Sequence, residues 1–207
     1  IRIFSEKDNG LYDAMNRGIA RATGDVIGIL NSDDFYYDEN VLSEINNAME
    51  NQPIDCVYGN LMFVDADYTG RTVRLWKGSQ HEKGAFLRGW HPAHPTFYAR
   101  RKCYEVLGSF NTKYAVSADF ELMLRFIEVA GLRNRYINRY FVRMRMGGES
   151  TKSLRNIIRG NRSILEALRD NGFSPSPLFL VRRLLPKFLD VVKRKVTLSN
   201  KSLISNP

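Results

Sequence analysis

Gly24-Asp25-Val26-Ile27-Gly28-Ile29-Leu30-Asn31-Ser32-Asp33-Asp34 runs from a turn through an unbroken apolar stretch into four polar residues. An apolar run of this length, with no polar alternation, suits a strand covered on both faces of an α/β sheet. The two adjacent carboxylates then fall just beyond the C-terminal end of that strand, where open α/β sheets bind their ligands. Carboxylates in that position can hold a hard divalent cation, which in turn grips phosphate oxygens. The same two residues also suit an acidic turn or the cap of a following helix.

Working outward, Leu11, Ala14, Met15, Gly18, Ile19 and Ala22 recur at helical spacing and predict a helix over 11–22, with Gly24 as its stop. Ile1-Arg2-Ile3-Phe4 reads as the end of a strand that turns through Ser5-Glu6-Lys7-Asp8-Asn9-Gly10. Downstream, the pattern predicts a helix at 39–50, a strand at 55–60 and a hairpin over 61–73 around Asp67-Tyr68-Thr69-Gly70. An irregular stretch over 78–95 holds all three histidines, and a strand follows at 96–100. A helix at 121–130 and a strand at 135–146 come next. Gly147-Gly148-Glu149-Ser150 breaks the pattern; with Arg143 and Arg145 it suits either a plain turn or a loop closing over a diphosphate. Two helices, over 151–171 and 178–196, are joined by Ser174-Pro175-Ser176-Pro177. The alternation predicts an α/β domain with a mostly parallel sheet over 1–150 and a helical tail over 151–207. Only about one and a half strand–helix units precede Asp33, where a complete doubly wound domain would want about two more, or roughly 60 residues.

The charge is uneven. Of 31 Lys and Arg against 22 Asp and Glu, residues 1–150 carry 19 of each, so the whole net charge of +9 belongs to the tail. A neutral body argues against a nucleic-acid-binding module, which would spread its basic surface over the fold. Cys56 and Cys103 are too few for a disulfide framework and read as reduced, buried thiols in a cytoplasmic protein. His91 and His94 stand three apart around Pro92 with no third ligand in sight, which disfavours zinc, and His81 reads as a surface residue. Trp76 and Trp90 read as core residues before they read as sugar-stacking platforms.

The second acidic signal is Ser117-Ala118-Asp119-Phe120-Glu121, ahead of an apolar helix. An Asp there is either a helix cap or a general base aimed at a hydroxyl. Taken in order, Ser5-Glu6-Lys7-Asp8-Asn9-Gly10-Leu11-Tyr12-Asp13-Ala14-Met15-Asn16-Arg17-Gly18, Ala22-Thr23-Gly24-Asp25, Asn31-Ser32-Asp33-Asp34, His94-Pro95-Thr96-Phe97, Ser117-Ala118-Asp119-Phe120-Glu121 and Gly147-Gly148-Glu149-Ser150 resemble the motif series of family 2 glycosyltransferases. The resemblance covers roughly residues 1–150. It implies a GT-A-like, partial Rossmann-type mixed sheet flanked by helices, with the first βα units lying upstream of Ile1. It matches Asp34 to the metal ligand, with Mg2+ or Mn2+ as the ion, and Asp33 to the donor side. Asp8, Asp13 and Asn16 match positions near the donor nucleotide. Asp119 matches the catalytic base, with His94 and Glu121 on the acceptor side.

The implied activity is inverting transfer of a sugar from a nucleotide-sugar donor to a glycan or lipid-linked acceptor in bacterial surface polysaccharide synthesis. A carboxylate on one face removes the acceptor proton while a cation on the other takes the charge growing on the departing diphosphate. In the tail, Val181, Leu184, Leu185, Phe188, Val192 and Val196 fall on one face, with Arg182, Arg183, Lys187, Asp190, Lys193, Arg194 and Lys195 on the other. A basic amphipathic helix of this kind lies on an anionic membrane surface or packs on the domain with its charges solvated. The first option places the protein peripherally at the inner face of the plasma membrane. With the upstream units absent, the 207 residues alone are expected to be inactive or weak. The rival reading is an inactive remnant that binds a membrane or partner through its tail.

Overall fold

The computed structural model describes residues 2–50, 52–147, 154–181 and 183–184, and the side chains of 154–157 are left aside. The elements run α1 (Leu11–Arg21), β1 (Val26–Gly28), β2 (Phe35–Tyr36), α2 (Val41–Glu50), β3 (Cys56–Val64), β4 (Thr72–Trp76), β5 (Tyr98–Arg100), α3 (Arg101–Leu107), α4 (Ala118–Met123), β6 (Asn134–Arg145) and α5 (Leu154–Asp170). Single 3-10 turns occupy Phe86–Arg88 and His94–Thr96, and α4 widens into a π-helical turn over Leu124–Val129.

The sheet order is β1-β5-β3-β6-β2, with β4 on the free side of the long β3. Only β3 and β6 pair in parallel; β5 lies antiparallel between β1 and β3, and β2 antiparallel on β6. The sheet is therefore mixed rather than mostly parallel. A parallel neighbour needs a crossover helix. The chain from β4 to β5 has only two 3-10 turns, and both strands run antiparallel to β3 along the same flank, β4 beside Leu61–Val64 and β5 beside Cys56 and Val57. Strands β1, β3 and β6 nevertheless point the same way, so they share a C-terminal side.

Two apolar clusters fill the two faces. One packs α1, α3, α4 and α5 on one face around Tyr58, Phe86, Phe97, Phe120 and Phe126, and the other packs α2 on Val57, Leu61, Phe141 and Val142. Both thiols, Cys56 and Cys103, are buried and unbonded. Burial pushes the Cys56 thiol up, with Cys103 adding to the effect, so both stay protonated and inert.

Several local expectations shift. Residues 2–7 carry no regular element, and Ile3 and Phe4 are exposed. The strand at 55–60 and the first limb of the hairpin are one continuous strand, β3, and the short β2 and α3 had no clear sequence signal. In α1 the inward face is Tyr12, Met15, Asn16 and Ile19, while Leu11 points out. The tail does not stand apart as far as it is described. Ile164, Ala167 and Leu168 of α5, and Phe179 beyond it, are buried in the larger cluster. At 181–184 the amphipathic faces invert: Val181 and Leu184 face out while the Arg183 side chain turns inward. The rest of the expected helix, 185–196, lies outside the described residues, as do Gly148, Glu149 and Ser150 of the expected loop. Among the described residues no helix is long and apolar enough to cross a membrane.

Candidate active site

Asp119 is the second residue of α4, and α1 reaches it across the core. Tyr12 Oη stands 3.1 Å from Asp119 Oδ1 and 3.1 Å from the Val116 carbonyl oxygen, so its single proton is shared between two acceptors. Burial, with the Asp119 charge adding to it, pushes the Tyr12 phenol far above its ordinary pKa, which keeps it a donor. Phe110 lies against Tyr12 (ring centroids 5.3 Å) and against His94 (5.7 Å). The Asn16 amide holds Phe110 in place: its Nδ2 donates to the Phe110 carbonyl and its Oδ1 accepts the Phe110 N–H, both at 2.9 Å.

His94 arrives from the other side of the fold through a bulge in β3. The β3–β6 register slips between Tyr58 and Asn60, leaving Gly59 unpaired with β6. Thr96 fills the gap, with its Oγ1 3.3 Å from the Gly59 N–H, 3.1 Å from the Gly59 carbonyl and 2.8 Å from the Ala93 carbonyl. That staple fixes the turn bearing His94 beside the middle of β3. Burial lowers the His94 pKa while the Asp119 charge opposes it, so the ring is held neutral. Its Nε2 is buried and has no partner among the described residues.

An aromatic wall borders Asp119. Phe120 packs edge-on against Phe86 (5.6 Å) and His91 (5.5 Å), and Phe86 against Trp90 (5.4 Å). Trp90 and Trp76 are half-buried; Trp90 Nε1 donates to Ser79 Oγ at 3.0 Å, and Trp76 meets His91 edge-on at 5.2 Å. His81 is not a surface residue: it packs on Trp90 and lies 2.8 Å from Glu128, whose side chain is nearly enclosed.

The Asp33–Asp34 turn sits further along the C-terminal side of the strands. Asp33 is exposed and Asp34 buried. Asp34 accepts from Asn31 Nδ2 at 3.0 Å and from the Arg145 N–H at the end of β6 at 3.2 Å. The connection from β1 to β2 thus crosses the C-terminal side of the sheet from one edge strand to the other. Burial, with the Asp33 charge adding to it, raises the Asp34 pKa despite those two donors. A cation would relieve both causes, and the ligands are all oxygen, so the turn fits Mg2+ or Mn2+. Among the described residues no three His, Cys, Asp or Glu side chains gather into a ready-made metal cage. An ion held by one or two carboxylates, with water and substrate phosphates completing its shell, needs none.

Other residues singled out in the sequence are engaged elsewhere. Asp13 closes the first turn of α1, accepting the Asn9 N–H at 2.9 Å and Arg17 Nη2 at 3.1 Å. Asp8 caps the preceding turn through the Gly10 N–H at 2.9 Å. It lines a groove of about 340 Å3 on the outer side of α1, with Arg2, Glu6, Arg17 and Arg21. Glu121 does not join Asp119. It turns inward, 3% exposed, and takes a two-pronged ion pair from Arg125 (Nε 2.9 Å, Nη2 3.0 Å). Arg125 in turn binds the Leu107, Gly108 and Ser109 carbonyls at the end of α3.

A family model for glycosyl transferase family 2 matches residues 1–112, more than half of the chain. The chain belongs to glycosyl transferase family 2. Its mixed α/β architecture agrees with the GT-A-like fold that the motifs implied. Similar proteins include a "PGL/p-HBAD biosynthesis glycosyltransferase" of Mycobacterium bovis and one of Mycobacterium tuberculosis. Each is 29% identical over 137 residues, covering 66% of this chain and 51% of the relative. An uncharacterised glycosyltransferase of Mycobacterium tuberculosis is 29% identical over 124 residues, 58% of this chain and 45% of that protein. The chain therefore spans about half the length of the curated relatives it matches. Within this member of family 2, the groups that sequence reasoning missed are Tyr12, Thr96 and Arg183. The spacing 12–15–16–19 was available for Tyr12, and Thr96 lies inside a quoted motif. Arg183 had no signal beyond its charge.

Proposed function

We propose that this chain carries the catalytic machinery of an inverting, metal-dependent glycosyltransferase. It would move a sugar from a nucleotide-sugar donor to a glycan or lipid-linked acceptor in bacterial surface polysaccharide synthesis. The observation that carries the reading is the Asp119 carboxylate, held by Tyr12 Oη from 107 residues away beside an aromatic wall and a neutral His94. The relatives' names, glycosyltransferases of PGL/p-HBAD biosynthesis, agree with the sugar-transfer part of the reading.

In this reading an acceptor hydroxyl lies against Asp119. One Asp119 oxygen takes the hydroxyl proton as the oxygen attacks the anomeric carbon, and the bond from that carbon to the nucleoside diphosphate breaks on the opposite face. A single displacement inverts the anomeric centre. Tyr12 fixes the orientation of the carboxylate, and the unpartnered His94 Nε2 would meet an acceptor hydroxyl. The half-buried His91 and Trp90 offer ring edges to a sugar, with the enclosed Phe120 behind them. Asp34, with Asp33 beside it, would hold Mg2+ or Mn2+, which supplies positive charge to the diphosphate. Asp8 lies open on its groove toward a donor, while Asp13 and Asn16 would act by fixing α1. The exposed stripe of Leu178, Val181 and Leu184 supports contact of the tail with a membrane surface.

The test is transfer or hydrolysis of nucleotide-sugar donors with Mn2+, comparing wild type with Asp119→Asn and Asp34→Ala. Loss of a general base costs about 10²–10⁴ in rate. Asp119→Asn should fall in that range while melting normally. Full turnover by Asp119→Asn would remove Asp119 from the mechanism.

A further inference from the structure

Among the described residues, Arg183 is a charged side chain near Asp119 that the proposed transfer leaves without a task. It follows the buried Phe179 by four residues, so it lies on the same side of the helical turn as that anchor. Its backbone is seated against Gly89, which ends the Phe86–Arg88 turn at φ 90°. A Cβ at Gly89 would lie 3.0 Å from Arg183 Cβ and 3.1 Å from its Cα, so the close approach depends on glycine. The guanidinium carbon sits 5.5 Å from the centre of the Phe120 ring. Nε and Nη1 are both buried and have no hydrogen-bond partner among the described residues. Burial pulls the Arg183 pKa down to about 10, against the pull of the Asp119 charge, and the group remains a cation at neutral pH.

A buried guanidinium with two idle donors is costly, because each unmade bond leaves a desolvation penalty that is larger for a charged group than for a neutral one. Asp119 does not discharge it: among the described residues no ion pair within 4.0 Å joins the two. The buried Nε2 of His94, also unpartnered, lies near the same carboxylate. A planar fork of N–H donors, stacked on an aromatic ring and fixed at its backbone, matches the oxygens of a phosphate group.

We propose that Arg183, seated on Gly89 and Phe120 beside Asp119, binds phosphate oxygens of a diphosphate-bearing substrate. The inference rests on the transferase reading in that it assigns the ligand to the same site. The diphosphate can come from the donor or from a lipid-linked acceptor, and the chemistry recognised is the same.

The experiment is a binding titration of the 207-residue chain with inorganic pyrophosphate in EDTA, read by Trp emission and by thermal shift. No metal and no turnover are involved, so failure here leaves the transferase reading standing, and failure of the activity assay leaves this result standing. Wild type should bind saturably, Arg183→Gln should bind at least about tenfold more weakly, and Arg183→Lys should fall between them. Gly89→Ala, which changes no charge, should also weaken binding by displacing Arg183. Asp119→Asn should tighten it by removing a neighbouring negative charge. Equal affinity of wild type and Arg183→Gln, or no binding by wild type, overturns the proposal. Uridine diphosphate and geranyl diphosphate form the second arm. Whichever loses affinity in Arg183→Gln identifies the source, loss of both assigns the subsite to either, and loss of neither overturns it.

Discussion

Asp34 shows how one side chain can oppose the fold that holds it. Its pKa is raised, first by burial and then by the Asp33 charge, so the folded chain binds its proton more tightly than the unfolded chain does. The stability Asp34 contributes is present below its unfolded pKa, about 3.9, and is lost as pH rises through the higher native value. Asp34→Asn is neutral at every pH. The variant should therefore melt above wild type at pH 7 without metal, with the gap closing toward about pH 4. Adding Mn2+ should raise the Tm of wild type and not of the variant; a variant that melts lower at pH 7 would contradict the assignment. Tyr12 makes the complementary case. Tyr12→Phe removes a shared hydrogen bond worth about 1 kcal/mol of stability. It should slow turnover more than it weakens donor binding, because the hydroxyl touches only the Asp119 side.

At the scale of elements, two buried contacts hold the site's supports together. Glu121 and Arg125 join α4 to the end of α3, with Glu121 enclosed and its partner's side chain 19% exposed. Breaking a buried pair by removing one partner costs about 3–5 kcal/mol. Glu121→Ala should lose that much in a urea titration, far more than an exposed pair such as Arg88 with Glu82 could contribute. The bulge at Gly59 is the other support. A Cβ there would lie 2.8 Å from the Arg139 carbonyl oxygen, which is backbone and cannot swing away. Gly59→Ala should therefore separate β3 from β6 locally and loosen the Thr96 staple. The expected result is a loss of about 1–3 kcal/mol, read by denaturation, with a rise in acceptor KM because His94 depends on that staple.

Across the whole molecule, the neutral body and the basic tail are not separate objects. α5 and the turn at Phe179 complete the larger apolar cluster and bring Arg183 to Asp119. Phe179 is fully buried, and Phe→Ala in a core costs about 3–5 kcal/mol. Phe179→Ala should thus lower the melting point by several degrees and release Arg183 from its seat, weakening pyrophosphate binding along with stability. Unchanged melting would mean that the tail packs elsewhere.

Periodicity and motif order in the sequence determined the fold class, the family, most element positions and the Asp33–Asp34 and Asp119 signals, because each rests on residues within a few positions of one another. An unbroken apolar run must be covered, and helical spacing must present a face, whatever the rest of the chain does. Only the tertiary structure decided which carboxylate is oriented and which is consumed. Asp119 and Glu121 stand two apart in one helix; the packing of α1 gives Asp119 to Tyr12, while Glu121 turns inward to Arg125, four residues on in the same helical run, which the carbonyls at the end of α3 hold in place. The strand pairing and the inward turn of Arg183 likewise depend on contacts between residues dozens of positions apart, where local pattern has no reach.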